Sequence, residues 1–498
     1  MQLLCLFALA WTLVLGREPD IYELTSKAGA QIRINQAGIT KTEEIAALMM
    51  RKAMRAMSFD WSHKHNEHCT FSMQGEPIVQ TYQHPDFKVQ MSPPTTLVWI
   101  TTGGYVNISG DWTLVKGEDK HEDKGTFFAV LENMETSLSV MLDMSSEGKP
   151  MMEPMDCQFT VQMTAAELKM TNDIDHALDE EIKSYMQKSF ENMLNQRVCD
   201  AAKKMVTEKL GRLLFQWPIL VPLSEKMPVK ADFRLVAQPT VADSYISVPV
   251  RAGILWNGEE GTPFEPKPIP EMPTELADYM IVLQASDYMM NSYMWSVYNH
   301  NLLTKVISPE KLGTLGALLH TKCEKLCIGK LSNELVTKFP DNEVHLKIQA
   351  TKPITFLSKA NGGLTFTGLG QIEAYAPTPA GDESLILAEA HFSGHMVNIS
   401  YMKESQKIHA EVKFDQIELK LMETSLGDVT QETMQKLAEL ALKKDKSHFQ
   451  TTLDKLTGKG LPIPFLPHIK LVEEPKMIFQ DGAMCFGFNF EFVPPQTE

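Results

Sequence analysis

The densest run of ligand-type side chains is His63-Lys64-His65-Asn66-Glu67-His68-Cys69. Imidazole, carboxylate and thiol together could take Zn²⁺ or Cu²⁺. Short histidine clusters in turns are far more often incidental, so no metal is assigned. His121-Glu122 lacks the second histidine that a zinc-protease helix places one turn further on. A nucleophile elbow needs Gly-x-Ser-x-Gly to hold its serine on a strained strand-to-helix turn, and the chain has none. Gly362-Gly363 and Gly368-x-Gly370 lie in an alternating, strand-like stretch, not ahead of a helix whose N-terminus could cradle phosphate. Cys323-x-x-x-Cys327 matches one helical face but has no second ligand pair for zinc. A disulfide there depends on the Cα separation, so its role stays open. The reading is non-enzymatic, with no cofactor implied.

The elements around these residues are those of an exported globular protein. Apolar residues make up 43% and charged residues 22% of the chain, outside the range of disordered chains. A formal charge of −16 argues against nucleic acid and against unspecific adhesion to anionic membranes. Leu3 to Leu15 is apolar and of signal-peptide length, too short for the roughly 20 residues a spanning helix needs. Residues 1–16 are therefore expected to be a signal peptide, and the mature chain to be secreted to the extracellular space without a transmembrane segment. Cys5 would leave with it, and Cys69, Cys157, Cys199, Cys323, Cys327 and Cys485 would meet an oxidising compartment. Two sequons, Asn107-Ile108-Ser109 and Asn398-Ile399-Ser400, become glycosylation sites on that route. Methionine reaches 30 residues. Its flexible thioether suits irregular apolar cavities as well as ordinary cores.

Periodicity divides the chain into two similar parts. Thr40-x-x-Glu43 reads as a capping box opening a helix, with Ile45, Leu48, Ala53 and Met57 on its apolar side. From Phe71 to Val161 short segments alternate with period two, punctuated by Pro93-Pro94 and Gly103-Gly104, as an antiparallel meander would. Ile174, Leu178, Ile182, Met186, Phe190, Leu194 and Val198 then recur every fourth residue to about Leu214. A stripe that long fits a helix lying lengthwise along a curved sheet. Pro263, Pro266, Pro268, Pro270 and Pro273 mark a stiff connector. The second part repeats the rhythm: a mixed opening from Tyr279, strands such as Val344 to Ala350, a helix from Thr430 to about Leu456, and a last strand alternating Phe486, Phe488, Phe490 and Phe492. The expected fold is α+β, a pseudo-duplication with residues 17–255 and 274–498 as halves and 256–273 as linker.

Several patches give this layout a family. Ala30-Gln31-Ile32-Arg33-Ile34-Asn35-Gln36-Ala37-Gly38-Ile39 resembles the N-terminal signature of the bactericidal/permeability-increasing, lipopolysaccharide-binding and phospholipid and cholesteryl ester transfer protein family. The likeness continues, in family order, at Asn195 to Cys199, the proline-rich connector, Ser286 to Asn291, Lys338 to Pro340, Gly363 to Phe366 and Gly460 to Pro464. The resemblance implies a boomerang of two barrel-like halves. Each would be a twisted antiparallel sheet wrapped around long helices, joined by a central sheet and holding phospholipid in an apolar pocket. It also implies one disulfide, Cys157 to Cys199, with two separately buried thiols as the alternative. Closing a loop of about 40 residues would contribute roughly 4 kcal/mol.

On this reading Ile45, Leu48, Ile182, Met186 and Phe190 line lipid pockets, with ordinary helix-to-sheet core as a compatible role. Burying a sixteen-carbon acyl chain at about 0.8 kcal/mol per CH₂ is worth roughly 12 kcal/mol gross. A surface ion pair is worth about 0–1 kcal/mol. Apolar walls, not net charge, decide whether lipid stays. Antibacterial members of the family meet lipopolysaccharide phosphates with a basic tip. The segment that looks equivalent, Asp111 to Gly125, sets Lys116, Lys120 and Lys124 against Asp111, Glu118, Asp119, Glu122 and Asp123. That acidity favours lipid transport or generic phospholipid binding over innate-immune recognition of bacterial lipopolysaccharide. The competing reading is an extracellular structural or signalling glycoprotein on the same scaffold without lipid-carrier activity.

Overall fold

In the computed structural model the described residues are 28–43, 61–66, 69–83, 85–116, 121–170, 195–216, 218–224, 227–260, 262–310, 316–317, 319–323, 327–330, 332–402, 407–444, 461–462 and 469–492. Strand β1 (Ala30–Asn35) puts Ala30 and Ile32 into the core. It leads straight into helix α1, residues 36–43. The helix therefore starts before Thr40, which corrects the capping-box reading. Glu43 Oε1 instead accepts the Val89 backbone N–H at 2.7 Å.

The meander is wider than its alternation suggested: β2 (Trp61–Asn66), β3 (Cys69–Gln83), β4 (Asp86–Ser92), β5 (Thr96–Thr102), β6 (Tyr105–Lys116), β7 (His121–Met144) and β8 (Pro150–Met170). They form one antiparallel sheet in the order β2-β3-β6-β7-β5-β4, with β8 also on β7. Lys116 pairs with His121. Most of the segment expected as a tip loop is thus the two arms of a hairpin. The β7–β8 ladder carries bulges, one of them at Asn133 with φ 52°. Helix α2, residues 195–215, includes a π-helical turn over Met205–Leu210.

Next come β9 (Leu220–Pro222), β10 (Val229–Asp232), β11 (Thr240–Val241), β12 (Tyr245–Val250), β13 (Gly253–Trp256) and β14 (Glu259–Glu260). The proline run that follows has no strand, and a single 3-10 turn closes it at Thr274–Leu276. Prolines cannot donate to a ladder, yet the run is held in place. Gln284 Nε2 donates to Pro270 O at 2.9 Å, and Gln480 Nε2 to Glu271 O at 2.7 Å.

The second half opens with β15 (Ile281–Ser286), α3 (Asp287–Asn299) and β16 (Thr304–Ile307), then α4 (Asn333–Lys338). Its sheet adds β17 (His345–Ala350), β18 (Thr355–Lys359), β19 (Gly363–Thr378), β20 (Gly381–Met402) and β21 (Lys407–Thr424). Helix α5 (Gln431–Lys444) precedes β22 (Leu461–Pro462), β23 (Ile469–Leu471), β24 (Lys476–Gln480), β25 (Ala483–Phe488) and β26 (Phe490–Phe492). The order β16-β17-β19-β20-β21-β22, with β18 also on β19, is again antiparallel and open. No described sheet closes into a barrel.

The sheet β11-β12-β1-β15-β25-β24 draws strands from the start, middle and end of the chain. Ile32, Ile246, Val248, Leu283, Phe486 and Phe488 line one face and belong to a single core cluster with residues of both halves, among them Trp99 and Phe366. The phenylalanine run expected as one last strand is two. It breaks at Asn489, whose side chain accepts Met280 N–H and donates to Glu473, so Phe490 and Phe492 pair with β23 instead.

Candidate functional site

Antiparallel pairing places residues of alternate parity on the helix-facing side of each long sheet. In the first half that side carries Val106, Ile108, Trp112 and Leu114 from β6, and Phe127, Ala129, Leu131, Leu138 and Val140 from β7, all buried. The Cys157–Cys199 bridge, with Cα atoms 5.6 Å apart, ties β8 to α2 and seats Cys199 in this cluster. Asn195 Oδ1 accepts the Phe159 N–H at 3.2 Å and adds a second tie between the same two elements.

A glycine–aromatic cross recurs in both halves. Gly110 pairs with Phe127, and Trp112 with Gly125, across β6 and β7. Phe366 pairs with Gly394, and Gly368 with Phe392, across β19 and β20. A Cβ would lie 2.7 Å from the ring at Gly110 and at Gly125 and 2.5 Å at Gly394, and nearer still at Gly368. Each ring therefore lies flat across the glycine opposite it, an arrangement any side chain there would forbid. In the first half the cross is closed: Trp112 is 1% exposed and its Nε1 donates to Thr126 O at 3.3 Å.

The second half divides into two zones. Ala374, Ala376, Ala388 and Ala390 are small enough to let Met434 and Ala438 of α5 pack against the sheet, and this zone is closed. Beyond it, Phe392 and Phe414 are only half-buried, as are Ile408, Ala410 and Val412. Phe366 meets Phe414 edge-on at 5.5 Å, Phe392 lies 6.0 Å from Phe414, and Phe356 is 5.8 Å from Phe366. Met396 and Tyr401 complete the patch, where burial pushes the Tyr401 phenol above its ordinary pKa. This apolar floor offers contact area and no nucleophile.

The expected pocket residues Ile45, Leu48, Ile182, Met186 and Phe190 lie outside the described residues, as does the leader 1–16. The rings of the cross were missed, although Gly110-x-Trp112, Gly125-x-Phe127, Phe366-x-Gly368 and Phe392-x-Gly394 stand in the sequence as a repeated signal. Asn107 lies within β6 and Asn398 within β20. Cys323 and Cys327 form a second bridge with Cα atoms 6.0 Å apart, while Cys485 is free and buried. Burial pushes its thiol up to about 12, away from reactive thiolate chemistry. The metal-type run His63 to Cys69 falls on β2 and the start of β3, with Glu67 and His68 outside the described residues. Among the described residues no three His, Cys, Asp or Glu side chains form a metal-binding group. No described helix is long and apolar enough to cross a membrane.

Two open antiparallel sheets, each backed by helices and sharing a central sheet, define a two-half apolar-core protein. The family models agree with that class. Residues 78–213 match the N-terminal domain, and residues 223–492 the C-terminal domain, of the LBP / BPI / CETP family. The chain belongs to that family, so it is a lipid-binding protein by class. Among solved structures it resembles lipopolysaccharide binding protein, at TM-score 0.59 and 17% identity over 94% of this chain and 100% of that one. P47 of Clostridium botulinum A2 covers 93% of this chain and 98% of its own at 10% identity, but its TM-score of 0.31 carries no argument. None of the curated proteins compared with the chain matches it.

Proposed function

We propose that this protein is a secreted, non-enzymatic carrier that holds phospholipid or a similar amphipathic lipid with its acyl chains against the inner sheet faces. The observation that carries the reading is the half-buried aromatic floor around Phe392 and Phe414, an all-apolar face that continues the sheet surface under α5 with no charged side chain among its described contacts. Ligand sites for apolar molecules are lined mostly by hydrophobic and aromatic side chains. Acyl chains laid on the floor would leave water at about 0.8 kcal/mol per CH₂, and the head group would remain near solvent. Recognition of bacterial lipopolysaccharide is the less supported cargo, because the β6–β7 hairpin carries Asp111, Glu122 and Asp123 against Lys116 and Lys124.

The test is retention of fluorescent phosphatidylcholine. Delipidated protein incubated with labelled vesicles and then passed over a sizing column should carry label in the protein peak. Substitution of Phe414→Asp should abolish that label. Wild-type protein emerging without label from vesicles of phosphatidylcholine, phosphatidylglycerol or lipopolysaccharide would favour a scaffold with no carrier activity.

A further inference from the structure

The two sequons share the tripeptide Asn-Ile-Ser, so local sequence gives neither an advantage. Their surroundings differ. Asn107 sits on the middle strand of three, with Thr81 of β3 on one side and Val130 of β7 on the other. Its Oδ1 is buried without a hydrogen-bond partner. Ile108, the central residue of that sequon, is 1% exposed, and the Ser109 hydroxyl accepts from Gln80 Nε2 at 3.1 Å.

Asn398 lies on a bulge, because Val397 pairs with Glu411 and Ser400 with His409, leaving two residues opposite one. Its φ is 51°, in the left-handed region that asparagine tolerates. Its side chain is exposed, and Nδ2 donates to Glu411 Oε2 at 2.8 Å. The β19–β20 ladder begins at Thr365 opposite His395, so beyond that pair β20 has β21 as its only ladder partner among the described residues.

We infer that Asn398 carries an N-linked glycan and that Asn107 stays bare, a reading that rests on entry into the secretory pathway. The co-reactant is a polyprenyl-diphosphate-linked oligosaccharide, delivered by a cellular transferase. The Asn398 Nδ2–C1 bond forms as the bond from C1 to the phosphate oxygen breaks. Polyprenyl diphosphate leaves and the amide gives up one proton, with no change in oxidation state. The remaining N–H can still donate to Glu411. Asn107 is open to the transferase only until β3 and β7 pair with β6, whereas Asn398 remains open after β20 and β21 have paired. The sugar would stand on the outer face of the second sheet, the face that also carries the His395–Asp415 and His391–Glu389 pairs, each at 2.8 Å. That face would stay hydrated, on the side of the sheet away from the aromatic floor.

The experiment expresses the full chain in mammalian cells and collects it from the medium. Release by a peptide-N-glycosidase, an amidase that hydrolyses the side-chain amide bond to the glycan, in heavy-oxygen water then marks each formerly glycosylated asparagine as labelled aspartate. The label is expected at position 398 alone, with N398Q removing the mass of one glycan and N107Q changing no glycan mass. S400A destroys the sequon while keeping Asn398 and its Glu411 contact, and should act as N398Q does even if that variant folds poorly. Comparable labelling at 107, or a secreted wild-type chain bare at 398, would overturn the inference. A chain retained inside the cell with neither site labelled would instead contradict the secretory reading on which it rests.

Discussion

The two halves build the same glycine–aromatic cross, yet one is sealed and the other is not. In the first half Trp112 and Phe127 are fully covered and the disulfide pins a helix over the sheet; in the second, the cross opens onto half-buried Phe392 and Phe414. Identical local geometry can therefore serve stability in one place and ligand contact in another. What differs is how deeply the rings are buried. Substitutions at equivalent positions should separate the two roles.

The largest effect is expected at the closed cross. Trp112→Ala removes a fully buried ring and should cost about 3–5 kcal/mol of stability. Urea denaturation measures it, and a cost as small as that of a surface substitution would mean the first half is not sealed. Phe414→Ala should cost less, because the ring is only partly buried, but should weaken lipid retention more than Trp112→Ala does. Equal losses of retention in the two variants would erase the proposed contrast.

The bridges give a second comparison. Loop closure predicts about 4 kcal/mol for Cys157–Cys199, which are 42 residues apart, and about 2 kcal/mol for Cys323–Cys327, which are 4 apart. Paired Cys→Ser variants should lower Tm in that order. The reverse order would show that the first bridge does not hold helix to sheet.

The smallest effect is a pH dependence in the second half. Hydrogen bonds from Lys338 and the Gly427 N–H hold the Glu334 carboxyl below its ordinary range, and the Ser332 hydroxyl does the same for Asp428. Depressed carboxylates contribute stability that is present above their unfolded pKa, near 4.5 for Glu334 and 3.8 for Asp428, and lost as pH falls through the folded value. Asp428 is exposed and Glu334 partly so, and solvent screening keeps the effect modest. The urea midpoint should fall as pH drops below 4.5, and less so in Glu334→Gln.

The fold was largely legible because long strands and helices write their periods plainly: β17 and the start of α5 lie where Val344 to Ala350 and Thr430 predicted them. The failures share a physical cause. Phe486 to Phe492 alternate without interruption, but alternation reports which face a side chain takes and not which partner strand it joins, so the break at Asn489 was invisible. Thr40-x-x-Glu43 satisfied a local capping pattern that a tertiary contact to Val89 overrode. The aromatic floor was hidden for a related reason. Gly-x-aromatic pairs acquire meaning only when two neighbouring strands are set in register, and that register is not written in either strand alone. The five pocket residues expected on helices of the first half lie outside the described part of the chain, and their lining of a lipid pocket remains a proposal.

The most direct test of the carrier account is native mass spectrometry of protein secreted from cells, followed by extraction and identification of whatever it carries. One or two phospholipid molecules per chain, lost in Phe414→Asp but kept in the double Cys323→Ser, Cys327→Ser variant, are the predicted result. A chain that emerges empty, and stays empty after incubation with phospholipid vesicles, would contradict the account.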